Sequence, residues 1–150
     1  TQPDLHRDLA GRLHLAGAQP MSPAAAQAGV ILFAHGSRRP GWDDTIHELE
    51  QRLRQQDAGL HIQRAYLELQ QPDLEQAVRL LVEQHGVTRL HVIPLFLGKG
   101  NHLLEDLPAL IRELQQQQPD LQLHVQAGIG QRNSFADWLS AEILQDLGQA

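Results

Sequence analysis

From Val30 onward, four short apolar runs alternate with four segments of helical period, and this alternation constrains the fold more than any other feature of the chain. Residues 30–34, 60–67, 88–94 and 121–127 are too short for buried helices and read as strands. Between the first two, Trp42, Ile46, Leu49 and Leu53 recur every three or four residues, which predicts a helix ending near Gln56. Pro72 and Asp73 open a second helix through Leu74, Ala77, Val78, Leu81 and Val82, stopped at Gly86. A third is expected over residues 103–117, with Pro108 in its early turns and Pro119 beyond its end. Ser134 is expected to cap a last helix that runs through Leu147 and ends at Gly148. Strands alternating with helices of this length build βαβ units around a parallel sheet, joined by right-handed crossovers. The expected class is α/β: a single domain with a four-stranded parallel sheet flanked by helices on both faces.

Residues 1–29 break the pattern and are expected to be an N-terminal arm and linker, leaving residues 30–150 as the folded domain. Leu5, Leu9 and Leu13 are spaced to share one face of an expected short amphipathic helix over residues 4–15, and an Ala-, Gln- and Pro-rich stretch follows up to Gly29. Met21 is the only methionine and Thr1 opens the chain. Two readings stay open: Met21 is the native start and residues 1–20 are extra, or the segment is a docking arm.

A chain of 150 residues fits one domain, and at that size roughly 70% of the unfolded surface is buried without staples. The absence of cysteine excludes disulfides, thiolate zinc sites and cysteine nucleophiles together. Twelve basic against 18 acidic residues, a formal charge of -6, argue against a nucleic-acid surface. No apolar run approaches the roughly 20 residues that span a bilayer, so no membrane contact is expected and the cytoplasm is the expected compartment.

In an open parallel sheet, ligands bind outside the carboxyl ends of the strands, and three polar features fall there. The first strand delivers His35, the second Glu68, and the third a glycine-rich loop that ends in His102. Neutral imidazole binds divalent metal and takes up protons near neutral pH. Two histidines and a carboxylate therefore make a plausible divalent-metal site with open positions. Arg38, Arg39 and Lys99, the only lysine, give this edge a basic rim suited to a carboxylate-rich or phosphate-rich ligand. Gly98 and Gly100 permit a flat ligand to approach the backbone. Gly98-Lys99-Gly100 is not a dinucleotide fingerprint, because Leu103 stands where the third glycine belongs, and it is not a Walker loop. His35-Gly36 lacks the preceding arginine of a phosphohistidine phosphatase, since Ala34 stands there. His6, His14, His47, His61 and His85 read as loop or surface histidines, and His91 and His124 as packed or edge residues within strands.

Leu32-Phe33-Ala34-His35-Gly36-Ser37-Arg38 resembles the opening motif of the short CbiX-type sirohydrochlorin chelatases. Tyr66-Leu67-Glu68-Leu69 followed by Pro72 resembles their second motif. Pro94-Leu95-Phe96-Leu97-Gly98-Lys99-Gly100-Asn101-His102, followed by Asp106-Leu107-Pro108, resembles their third and most specific one. The likeness covers about residues 30–147. It implies a chelatase-type fold and insertion of cobalt, iron or nickel into sirohydrochlorin, as in cobalamin and siroheme biosynthesis. It also implies that His35 and His102 are the active-site histidines, that Glu68 is the acidic residue, and that the chain forms a homodimer. The metal is then a substrate, and no tightly bound cofactor is expected. Position alone, apart from the resemblance, makes Arg38, Arg39, Gly98, Lys99, Gly100 and Asn101 candidate anchors for the carboxylates of the tetrapyrrole. The rival reading is a non-catalytic metal or tetrapyrrole carrier using the same cleft.

Overall fold

The computed structural model describes residues 28–98 and 102–149. The proposed arm up to residue 27, Lys99, Gly100, Asn101 and the side chain of His102 lie outside the described residues. The elements run β1 (Ala28–Ala34), α1 (Asp44–Gln56), β2 (His61–Tyr66), α2 (Leu74–His85), β3 (Arg89–Pro94), α3 (His102–Gln117), β4 (Gln122–Val125), a 3-10 turn (Ile129–Gln131) and α4 (Asn133–Gln149). The four strands form one sheet in the order β2-β1-β3-β4, and every neighbouring pair is parallel.

The alternation of side chains across the sheet sorts the helices onto two faces. Ile31, Phe33, Ala65, Leu90 and Val92 point to one face. There they form the main core with Leu74, Ala77, Val78 and Leu81 of α2 and Leu107 and Leu114 of α3. α2 has the clearest sequence signals. Asp73 accepts from the Gln76 backbone N–H and the Gln76 side chain returns the bond, a full capping box. Gly86 ends the helix with φ 62, a conformation that favours glycine. On the other face, α1 covers β2 and β1: Arg54 Nη2 donates to the Ile62 carbonyl at 3.2 Å, and Leu32, Ala34, Ile62 and Tyr66 are buried.

Several boundaries shift by one or two residues from the expectation, and three of the differences have a visible cause. β1 starts at Ala28, so Ala28 and Gly29 belong to the sheet; a Cβ on Gly29 would press on Val87 at 3.0 Å, so the residue read as linker is closely packed. Ser134 is not the cap of α4, because the helical pattern starts a residue earlier, with the Phe135 and Ala136 N–H groups both donating to the Arg132 carbonyl. Gly148 lies inside α4 rather than ending it, where an isolated glycine lowers helix propensity but does not forbid the conformation. No helix among the described residues is long and apolar enough to cross a membrane.

The face under α1 holds one buried carboxylate. Asp43, 8% exposed, accepts from the Tyr66 hydroxyl at 2.7 Å and from Gln70 Nε2 at 3.3 Å. His47 Nε2 lies 3.4 Å away and Arg64 Nη1 3.9 Å away. The Tyr66 hydrogen bond holds the carboxyl below its ordinary value against the opposing effect of burial, with Gln70 and His47 assisting. The stability this contributes is therefore present above the ordinary value of 3.8 and is lost as pH falls through the lower folded value. Asp43→Asn is expected to cost about 1.5–3 kcal/mol at neutral pH, the worth of hydrogen bonds to a charged group. Urea denaturation as a function of pH checks this: the gap between wild type and variant should close in acid. A gap independent of pH would mean that the charge of Asp43 is not what stabilises the fold.

Candidate functional site

The ladder between β1 and β2 runs past the last strand residues. The Leu67 N–H donates to the Ala34 carbonyl at 2.9 Å and the Glu68 N–H to the His35 carbonyl at 3.0 Å. This continuation sets His35 and Glu68 side by side at the carboxyl edge of the sheet. Their side chains meet with Nε2 2.9 Å from Oε1, each about half exposed, at 41% and 49%. An ionised carboxylate only accepts, so Nε2 must then donate to Glu68, and in a neutral imidazole this leaves the Nδ1 lone pair over.

Two backbone features hold this pair. Gly36 has φ 99, and a Cβ there would lie 1.8 Å from the Glu68 carbonyl oxygen. Only glycine allows the His35 loop to pass so close to β2. Beyond Glu68 the chain turns at once. Leu69 takes φ 66 and the Gln70 N–H returns to the Glu68 carbonyl at 2.8 Å, a three-residue turn that is rare outside glycine.

Side chains brace the same edge. The His35 ring meets Phe96 edge-on with centroids 6.4 Å apart, and Phe96 meets Phe33 in the same way at 5.8 Å. Gln70 Oε1 accepts from the Ser37 N–H at 3.0 Å and from the Trp42 indole, so one amide ties the loop after β1 to the turn after β2. Arg38 and Arg39 are exposed on that loop, and the Arg39 N–H caps back onto Ser37 Oγ at 3.1 Å. Gly98 is exposed at the end of β3, with open space where a Cβ would stand.

The structure thus brings His35 and Glu68 together and places Arg38, Arg39 and Gly98 on the same edge. His102 opens α3 just beyond β3; its imidazole lies outside the described residues, as do Lys99, Gly100 and Asn101. Among the described residues no three His, Asp or Glu side chains converge on one metal position. An open cavity of about 330 Å³ lies beside the pair, lined among others by Phe96, Gly98, Glu105, Leu107 and Gln126. Phe96 lines this cavity and also meets the His35 ring. A second recess of about 360 Å³ runs under α3 past Phe33, Leu67, Asp106 and Leu110.

Gln70, Phe96, Leu69 and Leu97 were not singled out from the sequence. Leu69 and Leu97 are 52% and 67% exposed, so two apolar side chains stand in solvent beyond the ends of β2 and β3. The available signal was that the apolar runs Leu67-Glu68-Leu69 and Leu95-Phe96-Leu97 continue beyond the point where the strands can bury them.

The sequence model of the CbiX family matches residues 29–146. The sirohydrochlorin cobaltochelatase of Methanocaldococcus jannaschii is 30% identical over 55% of this chain and 57% of its own length. The chloroplastic sirohydrochlorin ferrochelatase of Arabidopsis thaliana is 28% identical over 77% of this chain and 51% of its own length. The chain therefore spans little more than half the length of these curated relatives. Among solved structures, a cobalamin (vitamin B12) biosynthesis CbiX protein from Marinobacter aquaeolei superposes with a TM-score of 0.68 at 29% identity, over 82% of this chain and 99% of that one. The sirohydrochlorin chelatase SirB of Bacillus subtilis, solved with cobalt, shares the fold, with a TM-score of 0.60 at 23% identity, over 69% of this chain and 44% of its own.

Proposed function

The chain belongs to the CbiX family, and from that membership we propose that it is a sirohydrochlorin chelatase, a lyase that inserts cobalt, iron or nickel into the macrocycle. The observation that carries the reading is the His35–Glu68 pair, half exposed at the carboxyl edge of the sheet. Insertion exchanges one divalent ion for the two pyrrole N–H protons, so the reaction needs a loose metal ligand and a proton acceptor at one place. With Nε2–H donated to Glu68, the Nδ1 lone pair is the group that would hold the ion loosely or take one of the two leaving protons. Glu68 orients the imidazole and offsets the charge of the ion, and His102 is assigned the second imidazole. A site without thiolates releases a borderline metal more readily than it would with them.

Phe96, Leu69 and Leu97 give the rim an apolar surface on which the flat macrocycle can rest. Arg38, Arg39, Lys99 and the backbone around Gly98, Gly100 and Asn101 are proposed to bind its peripheral carboxylates. A single lobe offers one wall of such a cleft, which supports a homodimer.

Anaerobic mixing of sirohydrochlorin with cobalt, iron or nickel, with and without the protein, tests the reading by the absorbance change of metallation. A rate above the spontaneous one for at least one ion is expected. Binding of the tetrapyrrole with no acceleration for any ion would instead support a carrier. Glu68→Gln keeps the shape of the side chain and removes its charge. It should lower the rate about 10- to 100-fold, as loss of a ligand-orienting partner does, with little change in thermal midpoint. Full activity with collapsed stability would make Glu68 a structural residue.

A further inference from the structure

Gln70 lies two positions beyond Glu68, and its amide reaches the backbone two positions beyond His35. The two loops therefore close a ring around the pair. One tie is the Glu68 N–H donating to the His35 carbonyl at 3.0 Å. A second is the side-chain contact at 2.9 Å. The third is the Ser37 N–H donating to Gln70 Oε1 at 3.0 Å. The pair itself makes the first two, and the third is supplied from outside it.

The partners fix which end of the amide faces which way. Oε1 meets two donors, the Ser37 N–H and the Trp42 indole. Nε2 lies 3.3 Å from Asp43 Oδ2, and an ionised carboxylate only accepts. A flipped amide would set its N–H groups against two donors and its oxygen against a carboxylate. One orientation satisfies every partner and the other satisfies none.

The anchors of the amide are themselves held. Trp42 meets Tyr66 edge-on with centroids 6.3 Å apart, and the buried Asp43 accepts from the Tyr66 hydroxyl at 2.7 Å. The Tyr66 N–H donates to the Pro72 carbonyl at 2.9 Å, which closes the base of the turn that carries Glu68. The tip of that turn is strained, because Leu69 takes φ 66. Backbone of this kind persists where neighbouring contacts over-determine it. Gln70 supplies such contacts, since its half-buried side chain is bonded to both ends of the connection between β1 and α1.

We propose that Gln70 is a positioning residue: its amide holds the loop behind His35 to the turn behind Glu68 and so fixes the distance at which imidazole and carboxylate meet. The proposal rests on the reading of that pair as the site of metallation. The amide bonds to Ser37, Trp42 and Asp43 rather than to either side chain of the pair, so it acts through them. Asp43 has a second part here beyond its stabilising bond to Tyr66, because it sets the orientation of the Gln70 amide.

Gln70→Met keeps the length of the side chain and removes the acceptor. Deuterium exchange of the Glu68 amide, followed by NMR, reads the geometry without any substrate, because the Gln70 side chain takes no part in the Glu68–His35 backbone bond. Exchange there should quicken about 10-fold, as a local opening does, while amides of the β1–β3 ladder keep their rates. The metallation rate should fall about 10-fold, the low end for a partner that orients a metal ligand, with KM for sirohydrochlorin changing less than about 2-fold. In the Glu68→Gln background the same substitution should cost less than about 2-fold, because the carboxylate it positions is already gone. Gln70→Asn, an amide one methylene too short, should behave alike and serves where the methionine variant fails to fold. Unchanged exchange at Glu68, or a native rate beside an active wild type, would overturn the proposal. So would a 10-fold loss repeated in full in the Glu68→Gln background, since Gln70 would then not act through Glu68. A wild-type chain that accelerates no ion removes the chelatase reading, and the exchange comparison still decides whether Gln70 sets the geometry of the pair.

Discussion

His35→Ala is expected to lower the rate of metal insertion about 10²- to 10⁴-fold, the range set by removing a positioned proton acceptor. The variant loses the imidazole that lies 2.9 Å from Glu68 Oε1 and with it the proposed metal ligand and proton acceptor. It leaves Arg38 and Arg39 on the same loop, so tetrapyrrole binding, followed by fluorescence or absorbance titration, should change only a few-fold. The side chain is 41% exposed and rests on Phe96, so the thermal midpoint should move little. The comparison is thus between chemistry and binding in one variant. A variant that inserts cobalt or iron at the native rate would show that the imidazole is a bystander. An equal loss of binding and rate would mean that His35 holds the macrocycle rather than acting on it.

Gly36→Ala should damage stability and activity together. Its φ of 99 is strained for any L side chain, at about 1–3 kcal/mol. The added Cβ would also stand 1.8 Å from the Glu68 carbonyl oxygen, a contact relieved only by moving the backbone. That movement parts the Glu68 N–H from the His35 carbonyl and opens the His35–Glu68 pair. Gly86→Ala is the control. Gly86 also has positive φ but has open space around the Cβ position, so it should cost about 1–2 kcal/mol of left-handed strain and no activity in the folded protein. Urea denaturation and the metallation rate, measured on both variants, distinguish them. A Gly36→Ala enzyme with native rate would mean that the close passage of these two loops does not set the geometry of the site.

Some of this protein could be read before any coordinates. The helix over Leu74–His85 is legible because its signals are local: an Asp-x-x-Gln box at one end, a glycine at the other and a three-to-four spacing between. The strands are legible because each apolar run is too short to be anything else. His35 and Glu68 stand out because a polar residue directly after a buried strand must emerge at the sheet edge. The start of β1 at Ala28 was missed, since nothing in Ala28-Gly29 distinguishes a strand from the linker before it. What marks that residue is the contact of Gly29 with Val87 and Leu90, which lie far away in sequence.

The sequence by itself determined the order of the elements, the parallel sheet and the residues that end its strands, because hydrophobic period and chain direction are properties of neighbouring residues. Tertiary structure alone decided the rest. Strand register set His35 against Glu68 rather than merely on the same edge. Gln70 became a brace between two loops, a role that depends on the partners 28 and 33 residues away. The last helix reads in sequence as one more layer of the domain. Among the described residues its apolar side chains Trp138, Ile143, Leu144 and Leu147 stay largely exposed, because spacing along a helix says which side chains share a face and not what covers that face.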